Sequence, residues 1–180
     1  MALRAHQLLL SGYLPVHFIL KQLFSFILPL TVLVLIPFAI ESRFAIMVDI
    51  EFAIGALLAV GGLILLAVTA SMFIRFGRGT IAPWNPTRKL VVSGLYLHVR
   101  NPMIIGVLTA LLGESLIFHS VQIFTWLIAF FIINNIYFVL SEEPGLTKRF
   151  GEEYLEYKRN VPRWIPRLRP WKIDTKDAIV

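Results

Sequence analysis

Two short stretches of this 180-residue chain hold the residue types that could do chemistry: Leu90-Val-Val-Ser-Gly-Leu-Tyr-Leu-His-Val-Arg-Asn-Pro-Met-Ile-Ile-Gly106, and further along Glu142-Glu143. Both lie at the ends of strongly apolar runs. Charge at a membrane edge is costly unless it is used, so the pairing points to an active site where lipid begins. Pro102 lacks an N–H and fixes φ, which suits the first turn of a helix and leaves Asn101 near the N-cap position. A helix start also presents unpaired N–H groups and the positive end of the dipole. Asn101 as a cap is therefore compatible with a carboxylate or another electron-rich ligand atom lying there. Arg100 serves either such a site or the orientation of the chain in the membrane, and Tyr96 either packs at the membrane edge or walls a pocket. Glu142 can hold an amine or a sulfonium cation; its alternative is a solvated acidic helix end.

These residues must be positioned by apolar helices. Leu23 to Ile40 is long enough for a span if its flanks join it, although Pro29 and Pro37 should kink it and leave carbonyls for neighbouring helices to satisfy. Residues 52–74 form the clearest span, and Gly55, Gly61 and Gly62 within it would permit close approach of another helix. Residues 103–118 are short for a full crossing and carry Glu114. His119-Ser120 then makes a minimal turn into a fourth span at 121–140. The resulting antiparallel hairpin brings residues 101–103 beside residues 136–143, because both are nearly one helix length from the turn. Asn135, Phe138 and Glu142 share one face of the fourth span at i, i+3 and i+7, with Glu143 about a quarter-turn away.

Composition fixes the setting. A hydrophobic content of 57% and a mean hydropathy of +0.75 are too apolar for a soluble fold of this length. The expected fold class is all-α: an integral membrane bundle of about four spans, in one domain over 1–180, with an amphipathic interfacial helix in the C-terminal segment 141–180. Absence of Cys excludes disulfides, thiolate metal sites and a cysteine nucleophile. The four His residues are scattered without paired spacing, which argues against a metal site. The net charge of +6 does not imply nucleic acid, because the basic residues lie beside the spans, where they set orientation and meet anionic headgroups. Glu41, Arg43, Asp49 and Glu51 lie between the first two spans, and Arg75, Arg78, Arg88, Lys89 and Arg100 between the second and third. The positive-inside rule then places both termini, the Leu90–Gly106 cassette and the tail in the cytoplasm.

Two further segments carry expectations. Gly77 to Pro86 cannot be helical and reads as an ordered loop, either a connector or a binding segment, with Trp84 a possible interface anchor. From Leu146, the spacing of Phe150, Tyr154, Tyr157 and Val161 predicts one amphipathic helix lying on the membrane or capping the bundle, followed by a proline-punctuated strip with Trp164 and Trp171 as interface anchors. The basic lead before Leu23 lacks a small-residue cleavage pattern and reads as a retained first helix.

The order Leu-Val-x-Ser-Gly-x-Tyr, Val-Arg-Asn-Pro-Met, Glu-Glu, Arg-Phe-Gly-Glu-Glu-Tyr-Leu-Glu-Tyr-Lys and Val-Pro-Arg, over about Gly77 to Trp171, resembles the isoprenylcysteine carboxyl methyltransferase and phospholipid methyltransferase superfamily of membrane enzymes. The resemblance implies S-adenosylmethionine at the cytoplasmic face and a lipid or prenyl-like acceptor entering from the bilayer. It implies that Arg88, Lys89, Leu90 and Val91 run along the cofactor, largely through backbone, that Tyr96, Arg100, Asn101 and Pro102 lie against it, and that Glu142 meets its methionine portion. Glu143 or Tyr96 would accept a proton if the acceptor is an amine. Asn101 stands where many relatives have His, so binding rather than acid–base work is expected of it. Leu95, Leu97 and Ile104 depart from frequent Pro, Arg and Tyr. Phe138 stands where isoprenylcysteine enzymes have an Arg for substrate. The alternatives are a phospholipid-amine N-methyltransferase and a non-catalytic membrane module of the same bundle; a sterol-type reductase would need further spans.

Overall fold

The computed structural model describes residues 27–77 and 90–172, with backbone alone at 73–77. The first helix expected before Leu23, the start of the first span, most of the 77–86 loop with Trp84, and Arg88 and Lys89 lie outside the described residues. The described residues are helical, with no strand among them. Helix α1 covers Ile27–Ile40, α2 Ile50–Gly77, α3 Pro102–Ile117 and α4 Val121–Tyr137. A π turn, Phe138–Glu142, carries α4 into α5, Glu143–Phe150, and α6 is Glu152–Asn160. Ile50–Met72 and Val121–Phe150 are long and apolar enough to cross a bilayer, with mean hydropathies of 2.5 and 2.1. Their large side chains are mostly exposed, as at Leu57, Ile64, Ile132 and Ile136, which suits lipid rather than water as the surrounding medium.

Proline shapes two of these helices in the same way. Within α1 the turn Thr31–Leu35 is π-helical, and Pro37 follows two residues later; Pro144 follows the π turn Phe138–Glu142 at the same offset. Widening the preceding turn relieves the clash between a proline ring and the carbonyl one turn back, but the missing N–H still leaves an acceptor unfilled. In α1 that acceptor is the Val32 carbonyl, whose π-type partner would be residue 37. Trp126 of α4 supplies the bond instead, from Nε1 at 3.1 Å. The freed carbonyl expected from the sequence is thus satisfied by a neighbouring helix, as an apolar surround demands.

Helices α2 and α3 form the most extensive interhelical contact. They run antiparallel with Gly55 opposite Gly113 and Gly62 opposite Gly106. A Cβ on Gly62 would lie 2.5 Å from both the Gly106 carbonyl and the Ala110 nitrogen, so backbone meets backbone there. Gly61 has no such neighbour within 4 Å. Around this seam Leu33, Val107, Ala110, Leu111 and Ile123 form the buried core.

The α3–α4 turn is tight, with His119 at φ +47°. Ser120 caps α4 by accepting from the Ile123 N–H at 3.1 Å and donates its hydroxyl to Glu41 at the end of α1. His119 lies 3.2 Å from Asp49 and 3.1 Å from Glu51, joining the turn to the start of α2. The α3–α4 turn is thereby fastened to the α1–α2 loop.

The C-terminal segment differs from expectation in two respects. A single helix from Leu146 to Val161 does not form; Gly151 adopts φ +54° and breaks it into α5 and α6, so that Tyr154, Tyr157 and Val161 fold back over Leu90, Val92, Leu146 and Phe150. The segment caps the bundle end. Trp164 and Trp171 are packing residues rather than free anchors: Trp164 lies against Phe131 and Phe138, and Trp171 against Tyr157. Beyond α6 a proline-rich strap is laced to the cassette by three backbone bonds, Arg100 N–H to Pro162, Arg167 N–H to His98 and Trp171 N–H to Leu97, each 2.9 Å.

Candidate functional site

The cassette enters the site as irregular chain at Leu90–Val92 and turns at Gly94, whose φ of +53° suits glycine. A single 3₁₀ turn, Gly94–Leu97, then buries Tyr96, and the Tyr157 hydroxyl donates to the Tyr96 carbonyl at 2.8 Å. Burial pushes the phenols of Tyr96 and Tyr157 well above the usual tyrosine range. Both are neutral near pH 7. Pro102 occupies the first turn of α3 and is fully buried beneath the site. Asn101 takes the N-cap position, yet its side chain makes no capping bond. That leaves the amide for a ligand.

The π turn sets the two carboxylates. Adding a residue to the turn changes the phase expected for an α-helix, and Glu143 comes to the pocket wall together with Glu142 instead of turning away. Their surroundings then diverge. Glu143 is buried and held by Arg100 at 2.8 Å, Lys158 at 2.8 Å and Arg163 at 2.5 Å. Arg163 reaches on to Asn135 Oδ1 at 3.1 Å, which also accepts from Trp164 Nε1 at 3.3 Å. Glu142 has no hydrogen bond or ion pair among the described residues.

One open pocket gathers these groups. It is lined by Leu90, Val91 and Tyr96 from the cassette, Arg100 and Asn101 before α3, Phe138, Glu142, Glu143 and Leu146 around the π turn, and Tyr154 and Tyr157 from α6. Its empty volume is ≈ 520 Å³, counted out through its open mouth into solvent. The Nε of Arg100 is buried with no hydrogen-bond partner, while its Nη1 donates to Glu143 and to the Tyr154 hydroxyl. Of the residues singled out in the sequence, Leu90, Val91, Tyr96, Arg100, Asn101, Glu142 and Glu143 meet in this pocket, Pro102 lies behind its wall, and Arg88 and Lys89 fall outside the described residues. Tyr154, Tyr157, Lys158 and Arg163 stand in the motifs that carry the resemblance, but sequence alone assigned none of them a role in the site. Their partner is distant in sequence, so no local spacing signals them.

A carboxylate with no hydrogen bond or ion pair among the described residues, a guanidinium nitrogen without a hydrogen bond among them, and an open helix start suit a zwitterionic small molecule that also carries a cation. The model for phospholipid methyltransferase matches residues 50–153, which contain α2 to the start of α6 and most of the pocket. The chain belongs to the phospholipid methyltransferase family. Proteins similar to it include the protein-S-isoprenylcysteine O-methyltransferase of Schizosaccharomyces pombe, 32% identical over 87 residues, which cover 47% of this chain and 36% of that one. The human protein-S-isoprenylcysteine O-methyltransferase is 32% identical over 96 residues, covering 50% and 32%. The chain therefore spans about a third of the length of these curated relatives. No solved structure gives a significant match.

Proposed function

We propose that this member of the phospholipid methyltransferase family is an S-adenosylmethionine-dependent methyltransferase that acts on a lipophilic acceptor at the cytoplasmic edge of a membrane. The carboxylate of Glu142 in the pocket wall, which has no hydrogen bond or ion pair among the described residues, carries this reading. With Arg100, Lys158 and Arg163 all turned to Glu143, the Glu142 carboxylate is left to meet a ligand that brings its own positive charge. Arg100 Nε and the Asn101 amide suit the carboxylate of the same ligand, and Leu90, Val91 and Leu146 offer apolar surface to a base or ring. When bound, S-adenosylmethionine would supply a methyl already activated by its sulfonium.

The chain's contribution is then alignment and exclusion of water. Tyr96 and Glu143, the two groups expected to accept a proton, are assigned to positioning instead. The raised phenol of Tyr96 does not supply a base near neutrality, and the carboxylate of Glu143 is occupied by Arg100, Lys158 and Arg163. An acceptor that arrives as an anion or a neutral amine needs no base from them.

Incubation of the protein in nanodiscs of total lipid extract with methyl-labelled S-adenosylmethionine tests the proposal. Label in a lipid or prenylated species, lost in Glu142→Gln, is the expected result. A methyl ester would assign a carboxyl acceptor and a methylated headgroup an amine. No transfer to any lipid or prenylcysteine from folded protein would overturn the proposal.

A further inference from the structure

The strap beyond α6 carries exposed apolar side chains at a depth where the helix beside it is apolar. Trp164 packs on Phe131 and Phe138 with ring centroids 5.1 and 5.9 Å away, and its Nε1 donates to Asn135 between them. These three residues cover two turns of the apolar helix that begins at Val121, or about 10 Å of its length. The strap at Trp164 thus runs alongside that helix rather than past its end. On the same helix Ile132, Ile136 and Leu140 are exposed. Immediately after the inward-facing Trp164, Ile165 is 80% exposed, and Leu168 is 100% exposed. Pro162, Pro166 and Pro170 keep the strip out of a helix, so these side chains have no amphipathic face to fold onto. Arg169 and Lys172 flank them, both exposed and without an ion pair among the described residues.

We propose that Ile165 and Leu168 insert into the interfacial layer of the bilayer the protein spans, with Arg169 and Lys172 seated on anionic lipid headgroups. Apolar side chains take the acyl boundary while the flanking cations stay at headgroup level, the arrangement long basic side chains permit. The docking surface is carried by the strap laced to the cassette, since Arg100, His98 and Leu97 are bonded to it through backbone. It is independent of methyl transfer, because neither apolar residue touches the pocket.

The natural chain has no Cys, so single labels can be placed directly. The full chain bearing Leu168→Cys, or Glu153→Cys as an exposed position on α6, would be labelled with an environment-sensitive fluorophore and placed in nanodiscs with interfacial nitroxide-lipid quenchers. One set would be of phosphatidylcholine and another would contain phosphatidylglycerol. The label at 168 is expected to be blue-shifted and quenched in the anionic discs, and the label at 153 to stay in water. Arg169→Gln and Lys172→Gln in the 168-labelled chain are each expected to lower the ratio of docked to undocked strap about fivefold. A label at 168 as wet as that at 153 in both lipids would overturn the proposal. So would quenching that ignores both lipid charge and the two substitutions. Neither readout requires S-adenosylmethionine, so failure here leaves the methyltransferase reading standing.

Discussion

Glu142 and Glu143 are adjacent in sequence and opposite in surroundings. Glu143 is a hub whose removal leaves Arg100 and Arg163 without their counter-charge in a poorly solvated wall. Breaking a fully buried pair costs about 3–5 kcal/mol. Here the Lys158 side chain is 41% exposed, so Glu143→Gln is expected to cost about 2 kcal/mol. Because Arg163 and Lys158 tie the strap and α6 to the bundle through Glu143, the loss should appear as faster proteolysis after residue 150 as well as a lower melting temperature. The residue types were legible in the sequence, including Asn101, Pro102 and Glu142, because chemistry-bearing side chains stand out in an apolar chain. The division of labour between the two carboxylates was not. It depends on a π turn and on Arg163, which lies 20 residues beyond Glu143 on an irregular segment.

At the level of elements, two glycines one residue apart separate packing from propensity. Gly62→Ala drives a methyl into α3 backbone that has no side chain to swing aside, and is expected to cost about 1–3 kcal/mol. Gly61→Ala meets open space and is expected to be neutral or slightly stabilising. Thermal unfolding in detergent with both variants checks the pair. At the α3–α4 turn, Ser120→Ala removes the cap of α4 and is expected to cost about 1 kcal/mol. The same hydroxyl, with the Arg43 N–H, holds the Glu41 carboxyl below its ordinary range. A depressed carboxyl stabilises the fold above its unfolded-state value and loses that contribution as pH falls through the folded one. Unfolding in wild type should therefore become easier below about pH 4.5 to a greater degree than in Ser120→Ala, and equal pH slopes would contradict the role given to that bond. The starts of α2, α3 and α4 lie within two residues of the positions read from hydropathy and proline, whereas the last apolar helix runs on to Phe150, past the end expected at residue 140. The break at Gly151 was missed because Phe150, Tyr154 and Tyr157 keep helical spacing across it; both halves of the pattern bury the same face, and only the positive φ separates them.

For the whole molecule, the separation of the acidic α1–α2 loop from the basic bundle end gives the topology a direct check. In intact cells, Val48→Cys is expected to react with a membrane-impermeant maleimide, and Glu153→Cys to react only after permeabilisation. The reverse pattern would invert the orientation proposed from the loop charges. All the groups assigned to the ligand lie at that basic end, and the family match runs through them. The most direct measurement is calorimetric titration of the nanodisc-purified protein with S-adenosylmethionine, wild type beside Glu142→Gln and Asn101→Ala. Saturable binding is expected, weakened about ten- to hundredfold by loss of the Glu142 charge and about two- to tenfold by loss of the Asn101 amide. Absence of binding from folded protein, or binding indifferent to Glu142, would contradict the site described above.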